Sequence, residues 1–127
     1  MMVKVSAGII FDSEGRVLLC SRPEGKPPAG WEFPGGKIEP GETPGEALER
    51  ELLEELALPG RAGKEIIQVD APTVELHFLE FFPLPGAAAD PREGQLCRWQ
   101  EISEEMPGDL LPNDRPVWEI LKKNRKN

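Results

Sequence analysis

The chain has 127 residues, of which 39% are apolar and 30% charged, and its net charge is −8. That length suits one ordinary domain with one core, spanning 1–127. The acidic balance argues against a nucleic-acid polymer as partner, because backbone binding needs clustered Lys and Arg.

No apolar run approaches the roughly 20 residues a membrane helix needs, so no membrane partner is expected. The start, MMVKVSAGIIF, is too short and too strand-like for a signal peptide, so a cytoplasmic location is the default expectation. Cys20 and Cys97 sit in apolar, strand-like segments. They read as small core residues rather than a disulfide framework or a metal site.

In chain order, residues 3–11 and 16–20 are β-prone, and Asp12-Ser13-Glu14-Gly15 between them is a turn signal, which predicts a hairpin. Residues 23–30 form a Pro/Gly loop. Trp31-Glu32-Phe33 reads as a short strand stopped by Pro34-Gly35-Gly36. A helix follows, with Thr43 as N-cap, Pro44 at the first helical position and Glu46 completing a capping box. It runs to Leu56 or Ala57, where Pro59 disfavours helical geometry at Leu58.

Residues 64–70, 73–82 and 95–102 read as strands, and 83–92 as a loop. A last helix is predicted over 115–123, with Val117, Trp118, Ile120 and Leu121 toward the core and Asn113 or Asp114 available to cap it. The basic end, KKNRKN at 122–127, reads as a solvated terminus. His77, the only histidine, and Trp31, Trp99 and Trp118 read as core residues, with Trp31 also close to the glycine-rich loop. Strands with helices at the middle and end predict an α+β fold, a sheet covered by helices.

On a helical wheel Leu48, Leu52 and Leu56 form one apolar stripe. Glu51, Glu54 and Glu55 share another face within an arc of about 100°. Like charges at this spacing repel, so a compensating cation is expected: Arg50, one turn from Glu54, or a divalent ion that prefers carboxylate oxygens and bridges to phosphates. Alone, such a face reads as a solvated acidic surface, which is common in a chain with 23 Asp and Glu. The segment Phe33-Pro34-Gly35-Gly36-Lys37 shifts the balance, because glycines let backbone approach metal or phosphate and Lys37 offers a charge to a phosphate oxygen. An acidic protein needs such local positive charge or bound cations to accept a polyanion.

The stretch WEFPGGKIEPGETPGEALERELLEELAL resembles the signature of the Nudix hydrolases, G-x5-E-x7-R-E-U-x-E-E-x-G-U, with U a bulky aliphatic residue. Gly36, Glu42, Arg50, Glu51, Leu52, Glu54, Glu55 and Leu58 match, and only Ala57 departs, where the family has Gly. Matching eight such positions in register by chance has a probability on the order of 10⁻⁸ per window at average composition. The family Gly ends the helix in a left-handed conformation, so Ala57 is expected to cost about 1 kcal/mol or to shift the turn.

The resemblance implies the Nudix fold, a mixed sheet sandwiched between helices. It also implies hydrolysis of a nucleoside diphosphate linked to another moiety, with Mg²⁺ or Mn²⁺ and a water nucleophile. By it, Glu51, Glu54, Glu55 and the Gly36 carbonyl would be metal contacts, Arg50 would orient the glutamates, and Glu42 would support the loop. The general base would be Glu51 or Glu93, the latter in Arg92-Glu93-Gly94-Gln95, where the family often supplies a further carboxylate and metal contact. Read without the family, Glu93 is a solvated loop residue.

Within the family the resemblance is closest to MutT-type members, which remove oxidised dGTP, and spans nearly the whole chain. It implies a nucleoside triphosphate substrate, 8-oxo-dGTP or a relative. Arg22, the Phe33 backbone, Lys37 and Asn113 would hold it, Asn113 reading a purine edge through an amide that both donates and accepts. The alternatives are a CTP or modified-pyrimidine triphosphate, another nucleoside-diphosphate derivative, or a module that senses nucleotides without hydrolysis. The number of metals, the phosphorus attacked and the oligomeric state are left open; a monomer is compatible with the sequence.

Overall fold

A computed structural model describes residues 2–22, 29–103 and 105–125. Most of the expected Pro/Gly loop at 23–30 and the last two residues of the basic end therefore lie outside the described residues. Among the described residues seven strands and two helices follow in the order β1 (Val3–Ile9), β2 (Val17–Ser21), β3 (Trp31–Glu32), β4 (Gly35–Lys37), α1 (Pro44–Leu56), β5 (Gly60–Asp70), β6 (Val74–Pro83), β7 (Cys97–Gln100) and α2 (Arg115–Arg125), with a 3₁₀ turn at Pro112–Asp114.

The expected α+β class holds, with the strands divided between two sheets. One is mixed, in the order β4-β1-β6-β5, with β1 and β6 parallel; the other is antiparallel, in the order β3-β2-β7. The predicted hairpin is the first correction. Its turn forms, with the Asp12 carboxylate accepting from the Glu14 and Arg16 amides at 2.9 Å. Pairing across it stops at Phe11–Val17, and β1 and β2 then join different sheets. Ile9, Ile10 and every residue from Val17 to Cys20 are buried. Strands buried on both faces need neighbours and cover that an isolated ribbon lacks.

β2 shows how the core is shared. Val17 and Leu19 point into one apolar cluster with Phe33, Phe78 and Trp118. Leu18 and Cys20 point into the other, with Leu48, Leu52 and Leu56 of α1. This is the two-residue alternation of a strand.

The short strand β3 ends before Pro34, as its sequence implies, but Gly35 and Gly36 then open a strand of their own, β4, which pairs with β1 through Ala7–Gly35 and Ser6–Gly36. A Cβ on Gly35 would fall 1.9 Å from the Ser6 carbonyl oxygen, so this approach exists only because the residue has no side chain.

Trp118 is fully buried as expected, but Trp99 is 42% exposed on the outer face of β7. Of the predicted core face of α2, Val117, Trp118 and Leu121 are buried and Ile120 is half-buried. No helix among the described residues is long and apolar enough to cross a membrane.

Candidate active site

Helix α1 starts as its sequence requires. The Glu46 amide donates to the Thr43 hydroxyl at 3.1 Å, and the Thr43 amide donates to the Glu46 carboxylate at 2.9 Å. It ends at Ala57, which takes the left-handed conformation (φ 49°, ψ 36°), and the Leu58 amide reaches back to the Leu52 carbonyl at 3.1 Å. Ala57 thus keeps the turn that a glycine would make and carries the conformational cost. Leu48, Leu52 and Leu56 are buried, which fixes the roll of the helix and turns Glu51 toward β4 and Glu55 into the adjoining cleft.

Glu51 is 12% exposed and lies against the backbone of Gly36. A Cβ at Gly36 would fall 2.3 Å from its carboxylate. Arg50 organises the rest. It donates to both oxygens of Glu42 at 2.7 and 2.9 Å, to Glu51 at 3.0 Å, to Glu54 at 3.2 Å and to the Lys37 carbonyl at 3.1 Å. These Arg50 hydrogen bonds, together with the Glu39 amide, hold the Glu42 carboxyl down at about 2. Glu42 therefore ties the β4–α1 loop to the helix.

Glu55 lies deeper. Burial first, and then the charges of Glu51 and Glu93, push its carboxyl up to about 8. Glu93 and Glu55 line one cleft together with Arg22, Glu32, Gly35 and Gln95. The Gln95 side chain accepts from the Glu93 amide at 2.9 Å, which shapes the turn that presents Glu93.

Among the described residues no three acidic, imidazole or thiol groups already converge on one metal-sized centre. Glu54, 59% exposed, is drawn aside to Arg50. The donor set still suits a hard divalent cation: Glu55 is kept from ionising first by burial and then by the charges of Glu51 and Glu93, and such a cation would relieve that repulsion.

A second cleft of about 340 Å³ adjoins the first through Arg22, Glu32 and Gly35. Its walls include Phe33, Val74, Leu76 and Leu111, with Lys37, Asn113 and Asp114 at its polar positions. The Phe33 amide is already engaged, donating to the Asp114 carboxylate at 2.7 Å. Asp114 is 5% exposed, and burial pushes its carboxyl up to about 7. Its carboxylate bonds this distant strand end instead of capping α2, which corrects one of the two capping assignments.

The profile of the NUDIX domain matches residues 2–119. The chain belongs to the Nudix hydrolase family. It is 35% identical to CTP pyrophosphohydrolase of Escherichia coli (strain K12) over 94% of this chain and 91% of that protein. It is 39% identical to 8-oxo-dGTP diphosphatase of Haemophilus influenzae over 87% of this chain and 85% of that protein. The solution structure of the E. coli ORF135 protein superposes with a TM-score of 0.81 at 34% identity, over 98% of this chain and 91% of that one. A MutT structure from work on Aliivibrio salmonicida and Vibrio cholerae does so with a TM-score of 0.81 at 29% identity, over 98% and 99%. The MutT-like resemblance read from the sequence therefore holds, and this Nudix hydrolase acts on phosphoanhydride bonds.

The sequence-derived residues fall into two groups in this Nudix hydrolase. Gly36, Glu42, Arg50, Glu51 and Glu54 form one hydrogen-bonded or contacting set, with Glu55 and Glu93 on the neighbouring wall. Arg22, Phe33, Lys37 and Asn113 line the second cleft, where Arg22 is paired with Glu32 at 3.3 Å.

Trp31 lies outside both clefts, under the Arg98 guanidinium at 4.3 Å. His77 is likewise absent from both, held by Glu65 and by Glu75 at 2.7 Å. Asp114 and Glu32 join the clefts without belonging to any motif in the sequence. Asp114 was detectable only as a carboxylate beside the proposed base reader, since its burial depends on Phe33, 81 residues away.

Proposed function

We propose that this Nudix hydrolase cleaves 8-oxo-dGTP, or a closely related nucleoside triphosphate, to the monophosphate and pyrophosphate with Mg²⁺ or Mn²⁺. It would act in the cytoplasm as a nucleotide-pool sanitising enzyme that spares DNA repair, with 1–127 as one catalytic domain. The observation that carries this reading is the junction of two clefts at Arg22, Glu32 and Gly35: one is lined by carboxylates, and the other is apolar with a buried carboxylate at its end. A triphosphate nucleotide has matching halves.

Glu51, Glu54, Glu55 and the Gly36 carbonyl would hold the cation, with Glu93 facing them. When bound, the cation neutralises phosphate charge and favours ionisation of the attacking water. Arg50 keeps Glu51 and Glu54 oriented. Lys37 and Arg22 contact phosphate oxygens. Glu93 is the better general base, because Glu51 already accepts from Arg50, whereas the exposed Glu93 side chain can take a proton from water.

In the second cleft the base lies against Phe33 and Leu111, with Asn113 at the lip. Once ionised, above about pH 7, Asp114 uses one oxygen for the Phe33 amide and leaves the other as an acceptor. Oxidised guanine presents an N7–H donor where guanine presents an acceptor, so a carboxylate favours the oxidised base by roughly 1–3 kcal/mol. Steady-state kinetics on 8-oxo-dGTP, dGTP and CTP test this. The expected order is 8-oxo-dGTP well above dGTP, and equal efficiencies would sink the substrate assignment.

A second reading, CTP as substrate, is favoured by the 35% identity to the E. coli CTP pyrophosphohydrolase. The same Asp114 oxygen can accept from the cytosine amino group. It wins if CTP leads the panel.

A further inference from the structure

Cys20 on β2 and Cys97 on β7 stand directly opposite each other in the antiparallel sheet. Both are free thiols, and their sulfurs are 2.8 Å apart. The Ser21 amide donates to the Leu96 carbonyl at 2.8 Å, so Ser21 and Leu96 form the hydrogen-bonded pair. Cys20 and Cys97 are therefore the non-hydrogen-bonded pair, whose Cα atoms in such ladders lie about 4.5 Å apart with side chains close. That spacing lies within the range a disulfide accepts, about 4.4–6.8 Å.

We infer that Cys20 and Cys97 form a reversible dithiol–disulfide site, oxidised by peroxide, in the wall of the carboxylate cleft. Cys20 lines that cleft beside Glu55 and Glu93, and Cys97 follows Gln95 by two residues. Neither thiol is used by the hydrolytic chemistry.

The chemistry balances with peroxide as the sole oxidant. Cys97, half-buried and the more accessible sulfur, is the attacking group. The Cys97 thiolate attacks one peroxide oxygen, the O–O bond breaks, and Cys97 sulfenic acid and hydroxide form. The Cys20 sulfur then attacks the Cys97 sulfur, the S–O bond breaks, and the second hydroxide leaves. The hydroxides take up the two thiol protons, giving two waters for one peroxide and two thiols. The bond pins β2 to β7 and closes a loop between residues 77 apart in sequence, which constrains the unfolded chain.

The test treats the full-length protein with one equivalent of hydrogen peroxide. Free-thiol titration, intact mass, a non-reducing peptide map and thermal melting are then measured. The expected result is that both thiols disappear together and the mass falls by two hydrogens. A Cys20–Cys97 cross-linked peptide appears, the melting temperature rises, and dithiothreitol reverses all of it.

In Cys20→Ser, Cys97 should instead stop at sulfenic acid with one equivalent of peroxide and progress to sulfinic and sulfonic acid when two and three or more equivalents are supplied. If that variant does not fold, Cys97→Ser provides the matching test, with Cys20 left unreactive. Independent loss of the two thiols, oxygen addition at Cys97 in the unsubstituted protein, or cross-linking only between molecules would overturn the inference.

Discussion

The Glu51 carboxylate rests against the Cα of Gly36, so closely that a Cβ there would lie 2.3 Å from it. The clashing atoms are the far end of a side chain, so the carboxylate yields before the backbone does. Gly36→Ala is therefore expected to leave melting nearly unchanged while turnover falls by roughly 10²-fold, the usual consequence of misplacing a catalytic group by about 1 Å. Circular dichroism and steady-state kinetics on the same preparation check both halves. Unchanged turnover would mean that Glu51 needs no fixed position.

Glu54 is the most exposed of the three helix carboxylates, and Arg50 is the side chain that holds it. Glu54→Gln keeps the shape and removes a charge. The expected loss is roughly 10²-fold or more in kcat, with a smaller change in nucleotide affinity and a higher Mg²⁺ requirement. Metal titrations of activity measure the last point. Near-normal turnover would remove Glu54 from the ligand set.

Asp114 makes stability depend on pH. Burial raises its carboxyl from 3.8 to about 7. Between those values the folded state binds more protons than the unfolded state, so this residue's contribution to stability falls as pH rises from about 4 to 7. Asp114→Asn keeps an acceptor for the Phe33 amide and cannot ionise. Urea unfolding of both proteins from pH 4 to 8 should show the difference between them growing in favour of the variant as pH rises. Parallel curves would count against a raised Asp114.

Ala57 occupies the left-handed region at φ 49°. Ala57→Gly removes the Cβ conflict at an already compatible turn. The expected gain is roughly 1 kcal/mol, against the ordinary cost of glycine's flexibility in the unfolded chain. Chemical denaturation measures it. A loss of stability would show that Ala57 contributes packing that outweighs its backbone cost.

The parts of the fold legible in sequence were those decided locally. The α1 boundaries follow from Thr43, Pro44, Glu46 and Pro59, all within reach of the helix ends, and the structure matches them. The carboxylate face and its Arg50 partner were likewise readable from helical spacing. What sequence order misplaced was decided by tertiary pairing. Ile10 and Leu18 meet across a turn, yet their strands enter different sheets. Gly35 follows a strand break, as read, but its pairing with Ala7 of β1 depends on a segment far away in sequence. Asp114 reads as a helix cap and bonds to Phe33 instead. Trp99 reads as core, and its side of β7 is left partly uncovered.

The central claim is that the Glu51–Glu55 face and the adjoining cleft cut a nucleoside triphosphate between its α- and β-phosphates. Incubation with 8-oxo-dGTP, with and without Mg²⁺ and with phosphate and pyrophosphate detected separately, tests it most directly. The predicted result is Mg²⁺-dependent release of pyrophosphate and the monophosphate in equal amounts, with no inorganic phosphate. Release of inorganic phosphate, or nucleotide binding with no turnover on any triphosphate, would contradict it.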